Sequence, residues 1–329
     1  MITRREFIAG LGAIASGAQG RLLAQVPRAS DIRFGYAAIT WGGRDLEAIQ
    51  DIAAVGYPGI QIRSTILRDY RSRPAALREE LARRKLTFVA LSSGNLRLDA
   101  AEDLATHSAN AKFVRDAGGL YLQIIDERPK DRDVTAADGV RLGRLLTDLG
   151  KRTADIGIPL AYHHHMNSIG EPPDAIARIL DAADARYVKL LLDIAHYQQG
   201  GGDPVRAVKD YADRLGFLHI KDVESSSAKG KAGEAGRAGK AGQTGSAGEA
   251  RPALPAQPAP PARGYRFVEL GHGTVDIKGV FAALADVKYR GWAVIELDAV
   301  PDNAGTPKDS ALRNKRYIEQ TIGLRVAER

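Results

Sequence analysis

The chain has 329 residues, of which 44% are hydrophobic and none is cysteine. This length allows one large core, and α/β barrels commonly fill it as a single domain. The lack of cysteine excludes disulfides, thiolate zinc sites, iron–sulfur clusters and thiol nucleophiles, so any metal must be bound by His, Asp and Glu.

The formal net charge of +7 is unevenly distributed along the chain. Residues 1–30 carry a net charge of +3 and residues 225–263 carry +4, which leaves the rest of the chain neutral. A nucleic-acid-binding surface needs clustered positive charge on the folded domain. We therefore expect no nucleic-acid partner.

Residues 1–30 come first in chain order, and they place Thr3, Arg4 and Arg5 before a short run rich in Gly and Ala. The pattern resembles a twin-arginine export signal, with an ordinary amphipathic N-terminus as the alternative. The apolar run is too short and too rich in glycine to anchor the chain stably in a bilayer. We expect a leader over 1–30 with cleavage after Ala24, no stable membrane span, and a periplasmic protein.

From residue 31 onward, short apolar runs rich in Ile, Val and Leu alternate with longer stretches of helical period. The alternation predicts a parallel sheet. Strands are predicted at 32–41, 59–64, 86–93, 121–127, 158–166, 188–196, 216–222 and 292–298. Helices are predicted at 45–56, 74–85, 101–118, 139–157, 173–184, 204–215, 275–291 and 310–323. Eight strand–helix units predict an α/β fold, a single-domain (β/α)8 TIM barrel over residues 31–329.

Residues 225–263 interrupt this alternation. From Gly230 they contain seven consecutive Gly-x-y triplets, and then they become rich in proline. Seven triplets without proline are too few for a collagen helix, so we expect a disordered, low-complexity loop insertion after the seventh strand. It would leave the barrel on the C-terminal face, where barrel active sites lie, either as a mobile flap or as an inert insertion.

Five of the seven histidines lie at or near the C-terminal ends of predicted strands, His163, His164, His165, His196 and His219, and His272 precedes the last predicted strand. The last four strands end at equivalent places with His164, Asp193, His219 and Glu296, which we expect to point at one spot on the barrel axis. A single strand-end His or Asp is usually a satisfied polar residue, but four on consecutive strands favour a ligand set. Such a mixed set suits Mn²⁺ or Co²⁺ first, then Zn²⁺ or Fe²⁺.

The fifth strand offers two faces for its histidines. Alternation sends Tyr162, His164 and Met166 one way and His163 and His165 the other. We expect His164 to point inward, with His163 as the alternative.

Five short motifs carry a resemblance to a known family: "YHHHM", "LLDIAHYQQGGGDP", "LHIKD", "LGHGTVDIKGVF" and "GWAVIELD". In order and spacing they resemble the xylose isomerase-like barrels called sugar phosphate isomerases/epimerases, over residues 31–222 and 264–329. Within that superfamily the chain is similar to the inosose dehydratases. The resemblance implies a divalent metal bound by Asp193, His219 and Glu296, with His164 where many relatives have glutamate.

The resemblance also implies a reaction. Sugar epimerases of this superfamily move a proton with a pair of glutamates, of which this chain keeps only Glu296, so symmetrical epimerisation is not expected. What is implied is abstraction of an α-proton and a metal-stabilised enediolate, followed by isomerisation or by loss of a β-hydroxyl. We assign catalytic roles to Glu296, His164 and His196, and substrate contacts to His163 and His165.

Three further residues are candidates. His196 follows Asp193 in a D-x-x-H motif, and we expect it in the loop beside the metal, in acid–base or hydroxyl-binding chemistry more than in packing. Lys221, two residues after His219, either holds a substrate oxygen or pairs with a carboxylate. Trp41, at the end of the first strand, resembles the apolar wall against which such barrels stack a sugar ring, or else it closes the core.

Two other functions are alternatives to a sugar-converting enzyme. An abasic-site endonuclease shares the barrel and the D-x-x-H motif, but it needs histidines on the second and third strands, which read "QIRS" and "LSSGNL" here. A non-catalytic periplasmic sugar-binding barrel would not need the ligand set. Because exported enzymes seldom meet phosphorylated compounds, we expect an unphosphorylated keto-sugar or inosose as the substrate. Barrels of this kind often associate, so a homo-oligomer is also expected.

Overall fold

The computed structural model describes residues 32–99, 101–225 and 264–327. The predicted leader over 1–30 and the predicted insertion over 225–263, apart from its first residue, lie outside the described residues. Both therefore stay predictions.

Eight parallel strands close into a barrel. Among the described residues, two further strands lie outside the barrel. In chain order the ten strands are β1 (Arg33–Ala37), β2 (Gly59–Arg63), β3 (Thr87–Leu96), β4 (Tyr121–Asp126), β5 (Leu160–His163), β6 (Val188–Asp193), β7 (Leu215–Ile220), β8 (Asp222–Ser225), β9 (Tyr265–Val268) and β10 (Trp292–Ile295). The barrel order is β1-β10-β7-β6-β5-β4-β3-β2, and β8 and β9 form a separate antiparallel ribbon.

The connections between barrel strands carry the helices. These are α1 (Asp45–Val55), α2 (Leu67–Tyr70), α3 (Pro74–Arg83), α4 (Ala101–Asp116), α5 (Ala136–Ile156), α6 (Pro173–Ala182), α7 (Ile194–Gln199), α8 (Pro204–Asp210), α9 (Ile277–Asp286) and α10 (Pro307–Tyr317). All eight predicted strand–helix units are present, which confirms the (β/α)8 TIM barrel. Within 32–99, 101–225 and 264–327, every helix is too short or too polar to cross a bilayer.

Helix ends follow from local chemistry. At the start of α10, the backbone N–H of Asp309 donates to the Thr306 hydroxyl, and the N–H of Thr306 donates to the Asp309 carboxylate at 2.9 Å. This reciprocal pair satisfies N–H groups that the first turn leaves free. Helix α5 ends at Gly157, whose φ of 88° suits glycine.

The barrel interior is apolar towards the N-terminal ends of the strands and polar towards their C-terminal ends. Inward-facing residues of the strands form a separate buried apolar cluster: Ala37, Val89, Ala90, Ala161, Leu191, Phe217, Trp292 and Val294. The Trp292 ring occupies the space that a side chain at position 59 would need, so Gly59 is required there. Because alternate residues share a face, the next inward positions towards the C-terminal ends hold the polar side chains of the site.

Seven of the eight predicted strands end earlier than expected. Strand β5 ends at His163, and β1 gives way to a 3-10 turn over Ala38–Trp41. Strand β6 ends at Asp193 because its carboxylate accepts the N–H groups of Ala195 and His196, each at 2.9 Å, and so caps α7. His196 therefore lies in a helix, which corrects its expected place in a loop.

The ribbon of β8 and β9 is held by a buried carboxylate. Asp222 accepts the N–H groups of Gly271, Gly273 and Val275 at 2.9 to 3.1 Å. One side chain thereby fixes the loop that follows β9.

Asp222→Ala is expected to lower the free energy of unfolding by about 3 kcal/mol, because several buried N–H groups lose their acceptor. Urea unfolding measures the change. Glu224→Ala is the control in the same ribbon, since the exposed Glu224–Arg266 pair contributes less than about 1 kcal/mol. Equal effects of the two substitutions would contradict the role of Asp222.

Candidate active site

Four polar residues meet inside the barrel at the C-terminal ends of adjacent strands. His163 ends β5, Asp193 ends β6, His219 lies in β7 and Glu296 directly follows β10. All four are buried, with Asp193 and His219 at 0% exposure. Parallel strands that end at one face of the barrel bring these side chains together.

Asp193 lies at the centre of this cluster. Its Oδ2 atom is 3.7 Å from His163 Nε2, 3.7 Å from His196 Nε2 and 3.5 Å from His219 Nδ1. Glu296 Oε1 is 3.4 Å from His219 Nδ1. Two sets of three ligand atoms lie within 4.8 Å of one another: His163, Asp193 and His219, and Asp193, His196 and Glu296.

The cluster contains polar atoms that no hydrogen bond uses. Among the described residues, His163 Nε2, Asp193 Oδ2 and His219 Nδ1 are buried without a hydrogen-bond partner. Buried polar atoms normally have partners, so three that face the same spot require an explanation. A nitrogen and oxygen donor set of this kind fits a divalent transition-metal ion.

His163, not His164, faces the cluster. Tyr162 points to the outer side of β5, where its hydroxyl donates to Asp126 at 2.7 Å, so Ala161 and His163 point inward. His164 Nε2 instead accepts the backbone N–H of Asp193 at 3.3 Å. The expected alternation is present, but the inward face is the one that carries His163, so His164 is not among the atoms that converge.

Lys221 is fully buried beside the same cluster. Its Nζ atom donates to Asp298 at 2.6 Å, to Glu296 at 3.1 Å and to His196 Nε2 at 3.3 Å. The ammonium group also lies 3.9 Å from the ring centroid of Phe267 in β9. Of the two expected roles, the structure shows the pairing with carboxylates.

Trp41 and His165 occupy different surroundings. Trp41 is 0% exposed, donates from Nε1 to Asp51 at 3.1 Å and packs edge-on against Tyr36, so it closes the core between β1 and α1. His165 is partly exposed, and its ring centroid lies 4.0 Å from that of His196. Trp41 is therefore not brought to the cluster, whereas His165 is.

Sequence reasoning missed two glutamines, and also Phe267 and Asp298. Gln61 and Gln123 point into the barrel from β2 and β4, and their side chains reach His219 and His163 respectively. A signal was available, since "GIQIR" and "YLQIID" each place one amide in an otherwise apolar strand. A buried amide must find hydrogen-bond partners.

Burial and neighbouring charges shift the pKa values of the titratable groups in the site in different directions. Burial lowers the pKa of His163 to about 4, although the Asp193 carboxylate opposes the shift. Burial also disfavours the charged form of His219, but the carboxylates of Glu296 and Asp193 outweigh it and raise its pKa to about 9. Burial likewise opposes the charge on Lys221, and Asp298 and Glu296 hold its pKa well above the ordinary value. The metal-free site thus balances two buried carboxylates with two cations.

This balance predicts how the stability of the metal-free protein depends on pH. Because the pKa of His219 rises from 6.5 to about 9 on folding, its contribution is fully present below pH 6.5 and is lost as pH rises through about 9. Between pH 6 and pH 10 the free energy of unfolding is expected to decline, and His219→Gln should remove the part of this decline that His219 causes. Urea unfolding measures it. His272→Gln, an exposed imidazole after β9, is the control. An unchanged pH dependence in His219→Gln would contradict the shift.

The fold and the site define a class of protein: a TIM-barrel enzyme with a buried metal-binding set of His, Asp and Glu at the C-terminal ends of its strands. Comparison with known proteins then identifies the family.

A family model described as xylose isomerase-like TIM barrel matches residues 49–320. An inosose dehydratase of Lacticaseibacillus casei is 26% identical over 320 residues, covering 89% of this chain and 98% of the relative. The structure of IOLI protein with a binding zinc atom has a TM-score of 0.67 at 15% identity, covering 89% of this chain and 98% of that one. That of the probable 3-DHS dehydratase AsbF from Bacillus anthracis has a TM-score of 0.65 at 15% identity, covering 88% and 99%.

The chain belongs to the xylose isomerase-like TIM barrel family. The predicted family, the similarity to inosose dehydratases and the prediction of an enzyme are confirmed. The structural neighbours, at these identities, show the fold.

Proposed function

We propose that the protein is a divalent-metal-dependent dehydratase that acts on an unphosphorylated keto-sugar or inosose. It removes the proton next to the carbonyl and expels the hydroxyl on the β-carbon. The observation that carries this proposal is the convergence of Asp193 Oδ2, His219 Nδ1 and His163 Nε2, all buried and without hydrogen-bond partners among the described residues. The similarity to inosose dehydratases supports the substrate class.

Asp193, His219 and Glu296 would hold the ion, since His219 Nδ1 lies 3.5 Å from Asp193 Oδ2 and 3.4 Å from Glu296 Oε1, with His163 and His196 beside it. When bound, a divalent ion polarises a carbonyl oxygen and stabilises the negative charge that develops there. The remaining chemistry belongs to the side chains around it.

His165 is suited to take the α-proton. Its Nδ1–H donates to the carbonyl of Met166 at 2.8 Å, and because a carbonyl only accepts, the neutral ring presents a bare Nε2. Among the histidines of the cluster it is the partly exposed one. A neutral imidazole that a substrate can reach is a suitable general base.

His163 and His196 are suited to hold the leaving hydroxyl by hydrogen bonds. Burial lowers the pKa of both imidazoles, so each stays neutral and keeps one N–H. In the elimination the α C–H bond breaks and its proton goes to His165. The C–O bond then breaks, and the departing hydroxyl takes a proton from the His165 imidazolium, which returns to its neutral form as water leaves.

Elimination fits the site better than symmetrical epimerisation. Moving a proton between two faces of a substrate needs a base on each face. The inward position at the end of β5 holds His163, which is a weak base because burial lowers its pKa to about 4. Export by the leader over 1–30 is part of this proposal, because a periplasmic enzyme meets unphosphorylated sugars.

The test is an NMR assay in D₂O of the protein loaded with Mn²⁺ or Co²⁺, compared with chelator-treated protein. Inososes, keto-hexoses and 3-keto-glycosides are the substrates. A metal-dependent product that has lost water supports the proposal. Deuterium incorporation with a changed stereocentre or a shifted carbonyl would replace it with an isomerase, and no reaction together with no metal binding would favour a non-catalytic sugar-binding barrel.

His165→Gln is expected to lower kcat by about 10²-fold to 10⁴-fold, because the general base is lost. Metal affinity is expected to stay the same, since His165 is outside both sets of converging ligand atoms. Steady-state kinetics and zinc titration measure the two quantities. The exposed His272→Gln variant is expected to keep full activity, and an active His165→Gln enzyme would contradict the assignment.

A further inference from the structure

Two buried glutamines join the imidazoles of His163 and His219 across the barrel. Gln61 is 2% exposed and Gln123 is 1% exposed. His219 Nε2–H donates to Gln61 Oε1 at 2.8 Å, and Gln61 Nε2–H donates to Gln123 Oε1 at 3.4 Å. Gln123 Nε2–H then donates to His163 Nδ1 at 3.0 Å. We call this chain the amide relay.

The amide relay has a direction. An amide presents a donor on one end and an acceptor on the other, so rotating Gln61 alone would set two acceptors or two donors against each other. Only two arrangements satisfy every bond, the observed one and the one in which both amides are rotated. Ser92 supplies a hydroxyl at 2.8 Å from Gln61 Nε2, and a hydroxyl can donate or accept in either arrangement.

Each arrangement fixes the proton position on both imidazoles. In the observed one, His219 is protonated at Nε2 and His163 accepts at Nδ1, so both neutral rings carry their proton on Nε2. In the rotated one, both rings carry it on Nδ1. A doubly protonated His219 keeps the Nε2–H bond to Gln61 and hence the observed direction.

The two rings present opposite atoms to Asp193. His219 faces it with Nδ1, at 3.5 Å, and His163 faces it with Nε2, at 3.7 Å. With both rings protonated on Nε2, His219 offers a bare nitrogen to the cluster while His163 offers an N–H. The relay therefore allows one neutral ring, and not both, to present a bare nitrogen.

We propose that Gln61 and Gln123 are positioning residues that lock His163 and His219 in the same tautomer. The lock makes His219 the metal ligand of the pair and keeps His163 as a neutral N–H donor next to the substrate. This inference rests on the proposed metal centre, and it separates two histidines that otherwise look equivalent.

The test is ¹⁵N NMR of protein labelled at histidine, with zinc alone added and His163→Gln and His219→Gln used for assignment. The expected result is a proton on Nε2 of His163 and on Nε2 of His219, with none on Nδ1 of either ring. A proton on Nδ1 of His163 together with one on Nε2 of His219 would overturn the proposal.

Two variants keep the test specific to the relay. Gln61→Leu removes the acceptor of His219, and it is expected to weaken zinc binding about 10-fold to 100-fold. Gln61→Glu can still accept from His219 but cannot donate to Gln123, so zinc should bind no more weakly than in the wild type. Gln123 should then rotate, donate to the carboxylate and accept from His163, which moves the proton of His163 to Nδ1. A proton that stays on Nε2 of His163 in Gln61→Glu would overturn the coupling. Gln198→Leu, which removes an exposed amide bonded to Thr274, is the control with unchanged zinc affinity.

Failure of the proposed function gives a different result. If the protein binds no zinc, the metal centre is wrong, and the relay is then judged in the same labelled, metal-free sample. A proton on Nε2 of His163 would support the relay in that sample, and a proton on its Nδ1 would overturn it.

Discussion

Asp193→Asn is expected to abolish metal-dependent activity while leaving the fold in place. The two oxygens of Asp193 have different tasks: Oδ1 accepts two N–H groups at the start of α7, whereas Oδ2 faces the cluster without a partner among the described residues. An asparagine keeps an oxygen for the cap and replaces the other oxygen with an N–H₂ group, which cannot bind a metal.

Zinc titration is expected to show an affinity at least about 100-fold weaker in Asp193→Asn. Removing a ligand weakens metal binding more than removing a residue that only supports a ligand. Asp193→Ala is the matched variant, because it also removes the cap and should cost about 1 kcal/mol more stability than Asp193→Asn. Wild-type zinc affinity in Asp193→Asn would show that Asp193 serves only as a helix cap.

Lys221→Met is expected to lower the free energy of unfolding of the metal-free protein by about 3–5 kcal/mol, because it leaves the buried Glu296 and the Asp298 carboxylate without their cation. The double variant Lys221→Met/Glu296→Gln should recover part of the loss, since it removes the buried charge that the lysine balances. Urea unfolding in the presence of a chelator measures both.

A surface lysine provides the control for this second result. Lys209 forms an exposed ion pair with Asp286 at 2.9 Å, so Lys209→Met should change stability by less than about 1 kcal/mol. Saturating zinc should also restore part of the stability of Lys221→Met, since a ligand that binds only the folded state stabilises it. If Lys221→Met were as stable as the wild type, the lysine would not balance the charge of the site.

The sequence predicted the barrel because short apolar runs alternate eight times with stretches of helical period. Asp193, His219 and Glu296 were correctly expected to come together, since equivalent strand ends must meet on one face of a closed barrel. Similar reasoning chose His164 over His163 as the inward residue of β5, and that choice was wrong. That choice depends on which face of β5 packs against helices, and the hydroxyl of Tyr162 bonding to Asp126 decides it.

Other parts of the site depend on contacts between distant segments. Lys221 meets Asp298, and Phe267 of the ribbon packs over the Lys221 ammonium, through pairings that no local pattern reveals. His196 was expected in a loop because the D-x-x-H spacing places it beyond the strand end, whereas Asp193 caps a helix there. The export leader, the insertion and the homo-oligomer stay predictions.

The most direct test of the metal centre is X-ray diffraction from crystals of the zinc-loaded protein at the zinc absorption edge. The predicted result is an anomalous peak inside the barrel, within about 2.0–2.2 Å of Asp193 Oδ2 and His219 Nδ1. An anomalous peak elsewhere, or no peak in crystals kept in a zinc-containing solution, would contradict the assignment of the buried cluster as a metal site.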